Sequence, residues 1–388
     1  MAQHRALEDF SLVLGGPLYQ LLLRLRLLDP PIRLVERRIA AVVAVTWLPV
    51  LLLAALGGTL FGGAKIPFFF DADAQVRLLL ALPLLIIAEP VVHWQLAMQV
   101  RQLDERGLIA PEHRGRFAAL IDETMQLRNS MAVELVILGC ALGAGYWIWR
   151  QEFASRIGTW YMTPEERLTA AGAWYAFVSL GVFRFVLFRW YFRIALWYFF
   201  LWRVSRLRLQ LNALHPDGVG GIGFLGASVS ALAPVLIAQS ATVSGAIAGQ
   251  ILHEGLKLPA FYFEIGAVVA VLLALGLVPL LFFVPPLLAA SMQGRREYGL
   301  LATRYAEQFR AKWLDGRSQD EQLLGASDIQ SLADMGQAHD RVTKMRVLPL
   351  DRNAIVRVAA LIALPFAPLL FTAIPLNELL GRALRQLL

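Results

Sequence analysis

Long apolar stretches separated by shorter charged segments dominate the chain. Seven of these stretches reach the roughly 20 residues that an α-helix needs to cross a hydrocarbon core of about 30 Å. In chain order, spans one to seven cover residues 39–61, 78–100, 131–150, 170–200, 227–252, 259–290 and 354–376. The pattern therefore predicts an all-α fold, a polytopic membrane helix bundle with about seven transmembrane helices.

The segments outside the spans predict a small cytoplasmic layer of helices. A leucine-rich stretch around Arg24 and Arg26 is typical of an amphipathic helix that lies in the membrane interface. In the longest polar segment, 291–352, a capping-box pattern that begins at Ser327 predicts the start of the second of two helices. The predicted organisation is an interfacial segment (1–38), a transmembrane bundle (39–290) with a cytoplasmic helical hairpin (101–130), a cytoplasmic two-helix segment (291–352), and the last span with an external tail (353–388).

Composition supports the membrane assignment, and charge gives it an orientation. Hydrophobic residues make up 57% of the 388 positions and charged residues 17%, whereas soluble domains carry about 25% charge. The formal charge of +7 comes from Lys and Arg residues that cluster between the spans, which indicates topology and not nucleic-acid binding. These residues are more numerous on the side that holds 1–38, 101–130 and 203–226. The positive-inside rule therefore predicts a cytoplasmic N-terminus and an external C-terminus.

The sequence has none of the common catalytic or metal-binding signatures. It contains no GxSxG, HExxH, Walker A or CxxC string, so an enzyme is not favoured. The single cysteine, Cys140, excludes an intrachain disulfide and a thiolate metal site, and we expect it to be a small core residue. The expected partners are the lipid bilayer and small ions or solutes, with no cofactor, no metal, no catalytic residue and no nucleic acid.

Ionisable side chains inside the spans are the first candidate site. Each costs roughly 2.5–3.5 kcal/mol on insertion scales, so each needs a partner or a water-filled cavity. The candidates among them are Glu89, His93, Arg184, Arg189, Arg193 and Glu264. In the functional interpretation, Glu89 pairs with Arg184, or the arginines face a permeation path and attract anions. In the structural alternative, the ion pair is simply buried between helices while Arg189 and Arg193 snorkel to the lipid headgroups.

Span five carries no charge but is rich in Ser, Thr, Gln, Ala and Gly. At 100° per residue, four of its polar side chains fall within a stripe of about 80°. These pore-lining candidates are Ser228, Gln239, Thr242 and Gln250. The alternative is a tightly packed central helix, in which the spacing of Gly245 and Gly249 lets a neighbouring backbone come close.

A glycine-rich segment, His215-Pro-Asp-Gly-Val-Gly-Gly-Ile-Gly-Phe-Leu225, connects spans four and five. Its glycines supply exposed backbone N–H groups ahead of a helix, where the dipole favours anions. The predicted site for an anion or a phosphate headgroup comprises His215, Asp217, Gly220, Gly221 and Gly223, helped by Arg203, Arg206 and Arg208. The alternative is a sharp re-entry into the membrane, with Asp217 capping the next helix.

At these residues the chain resembles a family of uncharacterised bacterial polytopic inner-membrane proteins that carry HPD-x-x-GG-x-GFL before a span of small residues. The resemblance continues through the helix at 327–334 and the proline-rich last span at 359–376. It implies a shared topology and no particular activity.

Three hypotheses for function follow. The leading one is a channel or transporter for small ions or solutes, with anions favoured and an oligomeric assembly. The second is a membrane enzyme that acts on a lipid or polyprenyl phosphate, with His215 and Asp217 as acid and base at the cytoplasmic surface. The third is a membrane scaffold or sensor that works through the 101–130 and 291–352 helices.

Overall fold

The computed structural model describes residues 10–16, 19–20, 34–152, 159–163, 167–315 and 327–373, with the backbone alone for 144–152. Within these residues the fold is all-α, with isolated β-bridges and no β-strand. The α-helices are α1 (Val35–Thr46), α2 (Leu48–Leu56), α3 (Ala72–Val76), α4 (Leu82–Glu105), α5 (Arg114–Arg128), α6 (Met131–Glu152), α7 (Ala170–Trp174), α8 (Leu180–Ser205), α9 (Ala227–Glu254), α10 (Tyr262–Leu277), α11 (Val284–Trp313), α12 (Ser327–Thr343), α13 (Arg352–Ala363) and α14 (Leu370–Ala373).

Six helical runs in the described residues are long and apolar enough to cross a membrane. They are Val35–Leu56, Ala72–Glu105, Ala170–Ser205, Gly223–Glu254, Leu258–Trp313 and Arg352–Thr372. A seventh results if Pro111–Arg128 and Met131–Gly143, which are bent by 44°, form one span. The predicted all-α polytopic bundle is confirmed, and its long apolar helices make the chain a membrane protein.

Local breaks interrupt several of these runs. A π-helical turn, Tyr175–Ser179, joins α7 to α8, and a 3₁₀ turn, Val278–Phe283, joins α10 to α11. Pro279 lies at the start of the second turn, and Pro285 and Pro286 lie just after it. Because proline has no N–H to donate, a continuous α-helix cannot be completed here, and the run that corresponds to span six breaks at this turn.

Helix α9, which corresponds to span five, runs through the centre of the bundle. It packs against α3 and α4 on one side and against α10 and α13 on another. Gly245 makes the contact with α3 possible, because a Cβ added there would lie 3.0 Å from Cβ of Val76. Small side chains therefore let the helices around α9 approach closely.

Two sets of loops define the two ends of the bundle. One end, here called the hairpin face, holds the α4–α5 turn, where the Gln210 amide donates to the Leu108 carbonyl at 2.8 Å. The segment after α12 joins this face, since the Arg346 amide donates to the Gly218 carbonyl at 2.8 Å. At the opposite face an aromatic layer centres on Trp160, which is fully buried.

Some expectations differ from the structure or fall outside the residues it describes. Cys140 is exposed on α6 and is not the core residue we expected. The predicted interfacial helix falls largely on residues 17–18 and 21–33, and the predicted external tail on 374–388, which are not described. Residues 10–16 are described, and Phe10, Ser11, Leu12 and Val13 are buried in the hairpin-face end of the bundle.

Candidate functional site

Glu89 lies in the middle of the second membrane run and binds two arginines from different helices. Arg38, in the first turn of α1, donates to its Oε2 atom. Arg193 of α8 donates to its Oε1 atom at 2.9 Å. All three residues are more than nine-tenths buried. Each oxygen of the carboxylate thus accepts a charge-assisted hydrogen bond, which is the arrangement a buried ion pair needs to offset its desolvation.

The predicted pair between Glu89 and Arg184 is not formed, although Arg184 is also buried. Arg184 and Arg193 are nine residues apart, which at 100° per residue places them on opposite faces of α8. Since Arg193 faces Glu89, Arg184 faces away from it. Which arginine pairs with Glu89 depends on how α8 is rotated about its axis. The amino-acid sequence of α8 alone does not reveal that rotation.

Arg189 lies on the same face of α8 as Arg193, one turn before it. Its Nε atom lies 3.5 Å from Oε1 of Glu134, in the first turn of α6, and its guanidinium carbon lies 5.9 Å from the ring centre of Phe185. Among the described residues it makes no hydrogen bond. Its side chain is only 13% exposed. Arg193 is therefore buried and Arg189 partly buried, and each lies next to a carboxylate, which fits an ion pair between helices better than snorkelling to the headgroups.

A cavity of about 400 Å³ lies beside these charges. Its volume falls within the range of roughly 300–1,000 Å³ that is typical of small-molecule sites. The charged side chains in its wall are Arg38, Glu89, Arg189 and Arg193, and the apolar ones are Val42, Ile86, Leu138, Leu142, Phe177, Val178, Val182, Phe185 and Val186, with Gly181 between them. The cavity therefore has apolar walls and a charged end.

Three wall residues lie at the surface of the bundle. Leu138 and Leu142 on α6 and Phe177 on the π-helical turn are 41%, 55% and 60% exposed. Phe177 belongs to a run that is long and apolar enough to cross a membrane, and Leu138 and Leu142 belong to the helix that would complete a seventh such run with Pro111–Arg128, so we expect their exposed surfaces to face lipid. The cavity consequently opens sideways toward the bilayer.

A second, smaller cavity of about 20 Å³ continues from Arg189 and Arg193 toward the hairpin face. Arg128 and Glu134 line it, and Leu12 covers it from the N-terminal segment. Arg128 also donates to the Ser11 carbonyl. The walls of the two cavities together contain four arginines (Arg38, Arg128, Arg189 and Arg193) and two glutamates (Glu89 and Glu134). We call these six residues the arginine cluster.

Sequence reasoning missed half of the arginine cluster. Arg38, Arg128 and Glu134 lie close to the predicted ends of spans one and three, where charged residues were interpreted as topology signals. The signal that could have found this site was Glu134 itself. It is a carboxylate near the N-terminal end of span three, four residues after Ser130. Only the packing of α1 against α4, and of α5 and α6 against α8, brings these residues together with Glu89.

The two remaining ionisable candidates take different positions. His93, on α4, is 9% exposed, and its Nδ1 atom lies 2.9 Å from the Ser11 hydroxyl. Glu264 is exposed in the first turn of α10, where the helix dipole favours a carboxylate. His93 therefore contacts the N-terminal segment that covers the arginine cluster, whereas Glu264 lies apart from it.

The polar side chains of span five bond mainly to their own helix. The Ser228 hydroxyl donates to the Leu225 carbonyl at 2.7 Å, and the Thr242 hydroxyl donates to the Ala238 carbonyl at 2.9 Å. Gln239 donates to the Tyr191 hydroxyl at 2.7 Å, and Gln250 is half-buried. This arrangement fits a packed central helix, because hydroxyls that bond to nearby carbonyls need no water. A pore-lining role for these residues stays a prediction.

In the glycine loop the anion position is occupied by the chain itself. The Asp217 carboxylate accepts hydrogen bonds from the amides of Val219 at 2.9 Å, Gly221 at 3.1 Å and Gly223 at 2.9 Å. Its Oδ1 atom also lies 2.9 Å from Nδ1 of His215. Partial burial acts to raise the pKa of this carboxyl, but the three amides and the His215 ring outweigh it, so the pKa lies below its usual range. The loop therefore has an internal anion.

The arginines predicted to serve this loop contact other groups. Arg203 lies 3.5 Å from Glu123 and Arg208 lies 3.3 Å from Glu112, both at the surface. Arg206 stacks on Trp202, at 5.8 Å from its ring centre. The structure does not bring the three arginines to the loop.

Two other arginines hold the loop in place. Arg346 donates to the Asp217 carbonyl at 3.1 Å, and Arg106 lies 4.7 Å from the ring centre of Phe224. Gly220 has a φ of 70° and Gly221 a φ of 99°, so these positions need glycine to form the turn. The loop thus fits the alternative of a rigid re-entry into the membrane.

Fold and site together define a polytopic α-helical membrane protein with a buried arginine cluster and a lateral cavity. Within the described ranges, no group of three or more His, Cys, Asp or Glu side chains could hold a metal ion. No family model, curated protein or solved structure matches the chain. The resemblance through HPD-x-x-GG-x-GFL therefore stays a prediction, as do the enzyme and scaffold hypotheses.

Proposed function

We propose that this protein transports small anionic solutes and binds them at the arginine cluster. The observation that carries the proposal is the charge of the two neighbouring cavities, which share Arg189 and Arg193 and whose walls, among the described residues, hold four arginines and two glutamates. Because arginine stays protonated in proteins, the excess positive charge persists inside the membrane. Such charge is costly unless an anion accompanies it.

Arg189 is the residue most available to a solute. It lies in the walls of both cavities, and its only recorded ion pair among the described residues is the 3.5 Å contact with Glu134. The Nη1 atom of Arg38 is likewise buried without a hydrogen-bond partner in the described part of the chain. Guanidinium groups bind carboxylate and phosphate through paired N–H donors, so these unused donors favour an anion.

We further propose that the hairpin face is cytoplasmic, that the membrane is a bacterial inner membrane and that the protein is a homo-oligomer. The distribution of Lys and Arg supports the orientation, because the loops of the hairpin face carry the positive excess. A reporter enzyme fused to the C-terminus tests it and is expected to be active outside the cytoplasm. Cross-linking in membranes tests the oligomer, and a monomeric product alone would argue against it.

Anion flux tests the transport proposal directly. Purified protein is placed in liposomes loaded with chloride, nitrate or inorganic phosphate, and efflux is compared with that from empty vesicles. The variants are Arg189→Gln and, as a matched control on the same helix, Arg206→Gln, since Arg206 is exposed and lies outside both cavities.

The wild type and Arg206→Gln are expected to release at least one of these anions, and Arg189→Gln is expected to lose tenfold or more of that rate. Arg189→Gln should still fold, because it breaks no hydrogen bond to a described residue. Efflux equal to that of empty vesicles for all three anions would reject the proposal. Efflux that is the same in Arg189→Gln and the wild type would reject the site.

A further inference from the structure

We infer that the anion bound by the arginine cluster is the headgroup of a lipid-like amphiphile that enters the lateral cavity from the bilayer. The inference rests on the proposed function, because it uses the same anion site, and it adds the chemical class of the solute. The expected ligand has a phosphate or carboxylate headgroup and at least one hydrocarbon chain.

The first argument is the division of the cavity wall. Its charged side chains lie at one end, where Arg189 and Arg193 meet Glu89. Every other described residue in the wall is apolar. A small hydrated anion would satisfy the charged end but would leave the rest of the cavity without a favourable partner. An amphiphile satisfies both parts, because its chain removes apolar surface from water while its headgroup accepts the guanidinium donors.

The second argument is orientation. Arg38 is in the first turn of α1 and Glu134 is in the first turn of α6, so the charged end lies where these helices enter the membrane from the hairpin face. The apolar wall on α8 and on the π-helical turn before it then extends from Arg189 back to Phe177, or about 18 Å at 1.5 Å per residue. A lipid of the hairpin-face leaflet has the same orientation, with its headgroup at the surface and its chain directed toward the membrane centre.

The third argument is access. Leu138, Leu142 and Phe177 line the cavity and are also exposed on the lipid-facing surface of the bundle. The route toward the hairpin face is narrow, because the cavity there measures only about 20 Å³ and Leu12 and Gly15 cover it. Entry from the bilayer is therefore more open than entry from water on that side.

Gly181 offers a way to fill the cavity without touching the charges. It lies in the apolar wall, and a Cβ added there would have Leu142 as its nearest neighbour, at 3.8 Å. Alanine fits at this position in ordinary van der Waals contact, whereas leucine would project farther into the cavity. Gly181→Leu is therefore the test variant and Gly181→Ala its matched control.

Photo-crosslinking in nanodiscs tests the inference without relying on transport. The nanodiscs consist of phosphatidylcholine with a small, equal fraction of either phosphatidic acid or phosphatidylcholine that carries a diazirine in its acyl chain. After irradiation, mass spectrometry locates the labelled residues. The wild type, Arg189→Gln, Arg206→Gln, Gly181→Ala and Gly181→Leu are compared.

We expect the phosphatidic acid probe to label cavity residues such as Val178 and Val182, and the phosphatidylcholine probe to label mainly the outer surface, for example Leu135 and Val136. Labelling of the cavity should fall tenfold or more in Arg189→Gln and in Gly181→Leu, should fall less in Gly181→Ala than in Gly181→Leu, and should persist in Arg206→Gln. An unlabelled cavity, or equal labelling by both probes, would overturn the inference.

Anion efflux from liposomes that contain the same purified proteins separates this inference from the proposed function. If small-anion efflux depends on Arg189 while the cavity stays unlabelled, the solute is a free anion and the amphiphile is rejected. If phosphatidic acid labels the cavity in an Arg189-dependent way but no small anion crosses, binding of an amphiphile stands and transport of free anions is rejected.

Discussion

The arginine cluster and the glycine loop are both built to hold a negative charge, and they differ in how that charge is supplied. In the loop, three backbone amides and the His215 ring all point to Asp217, which is part of the same turn. In the cluster, Glu89 uses both of its oxygens on Arg38 and Arg193, and Arg189 is left without a hydrogen bond among the described residues.

This difference separates a structural anion from the anion-binding site that we propose. In a turn that contains its own carboxylate, the N–H donors already have an acceptor, and the turn gains rigidity. In a cluster with more cations than carboxylates, some N–H donors lack an acceptor, and a ligand in the neighbouring cavity can supply one. The glycine-rich segment was the more conspicuous signal in the sequence, but its anion position is occupied by Asp217. The following predictions test the comparison from its largest expected effect to its smallest.

Glu89→Gln should have the largest effect on stability. It removes the carboxylate that Arg38 and Arg193 share, and breaking a buried ion pair on one side typically costs about 3–5 kcal/mol. Thermal unfolding in detergent measures the loss. Glu264→Gln is the control, because the Glu264 carboxylate also lies in a membrane-spanning helix but is exposed. Its loss should cost less than about 0.5 kcal/mol. Equal stability of the two variants would mean that the cluster does not depend on Glu89.

Asp217→Ala should cost about 1–3 kcal/mol, because three amides lose their shared acceptor and water replaces it incompletely. The free energy of unfolding measures this change. Asp340→Ala is the control, since Asp340 forms an exposed pair with Lys344 at 2.7 Å that contributes only a few tenths of a kcal/mol. If Asp217→Ala matched its control, the glycine loop would not depend on an internal anion.

The same carboxylate predicts a pH dependence. The pKa of Asp217 in the folded protein lies below its ordinary value, so its contribution to stability is complete above about pH 3.9 and is lost as the pH falls through the lower, folded-state pKa. The difference in unfolding temperature between the wild type and Asp217→Ala should therefore shrink on acidification below about pH 3.9. A difference that grows there would contradict the sign of the shift.

Gln239→Leu should have the smallest effect. It removes one hydrogen bond to Tyr191, which is worth about 1 kcal/mol, and anion flux should be unchanged because Gln239 lies outside both cavity walls. Tyr191→Phe, which breaks the same bond from the other side, is the matched variant. A large loss of flux in Gln239→Leu alone would instead favour the pore-lining role predicted for span five.

Much of the fold could be predicted because the bilayer imposes it. The helix that begins at Ser327 was predicted from a capping pattern, and the break near Pro279 follows from a missing N–H donor. The candidate site was less accessible. Arg189 and Arg193 share a face because four residues make about one turn, but nothing local indicated that Glu89 would pair with Arg193 and not with Arg184.

The sequence by itself determined that this is a membrane protein built from about seven apolar helices, because helix length and hydrophobicity are set by the thickness of the bilayer and are properties of each segment alone. Only the tertiary structure decided which charges meet. Arg38, Glu89 and Arg193 come from three distant helices, and their contact depends on how each helix is rotated and packed. It likewise decided that Asp217 fills its own loop while the arginine cluster borders a cavity that opens to lipid.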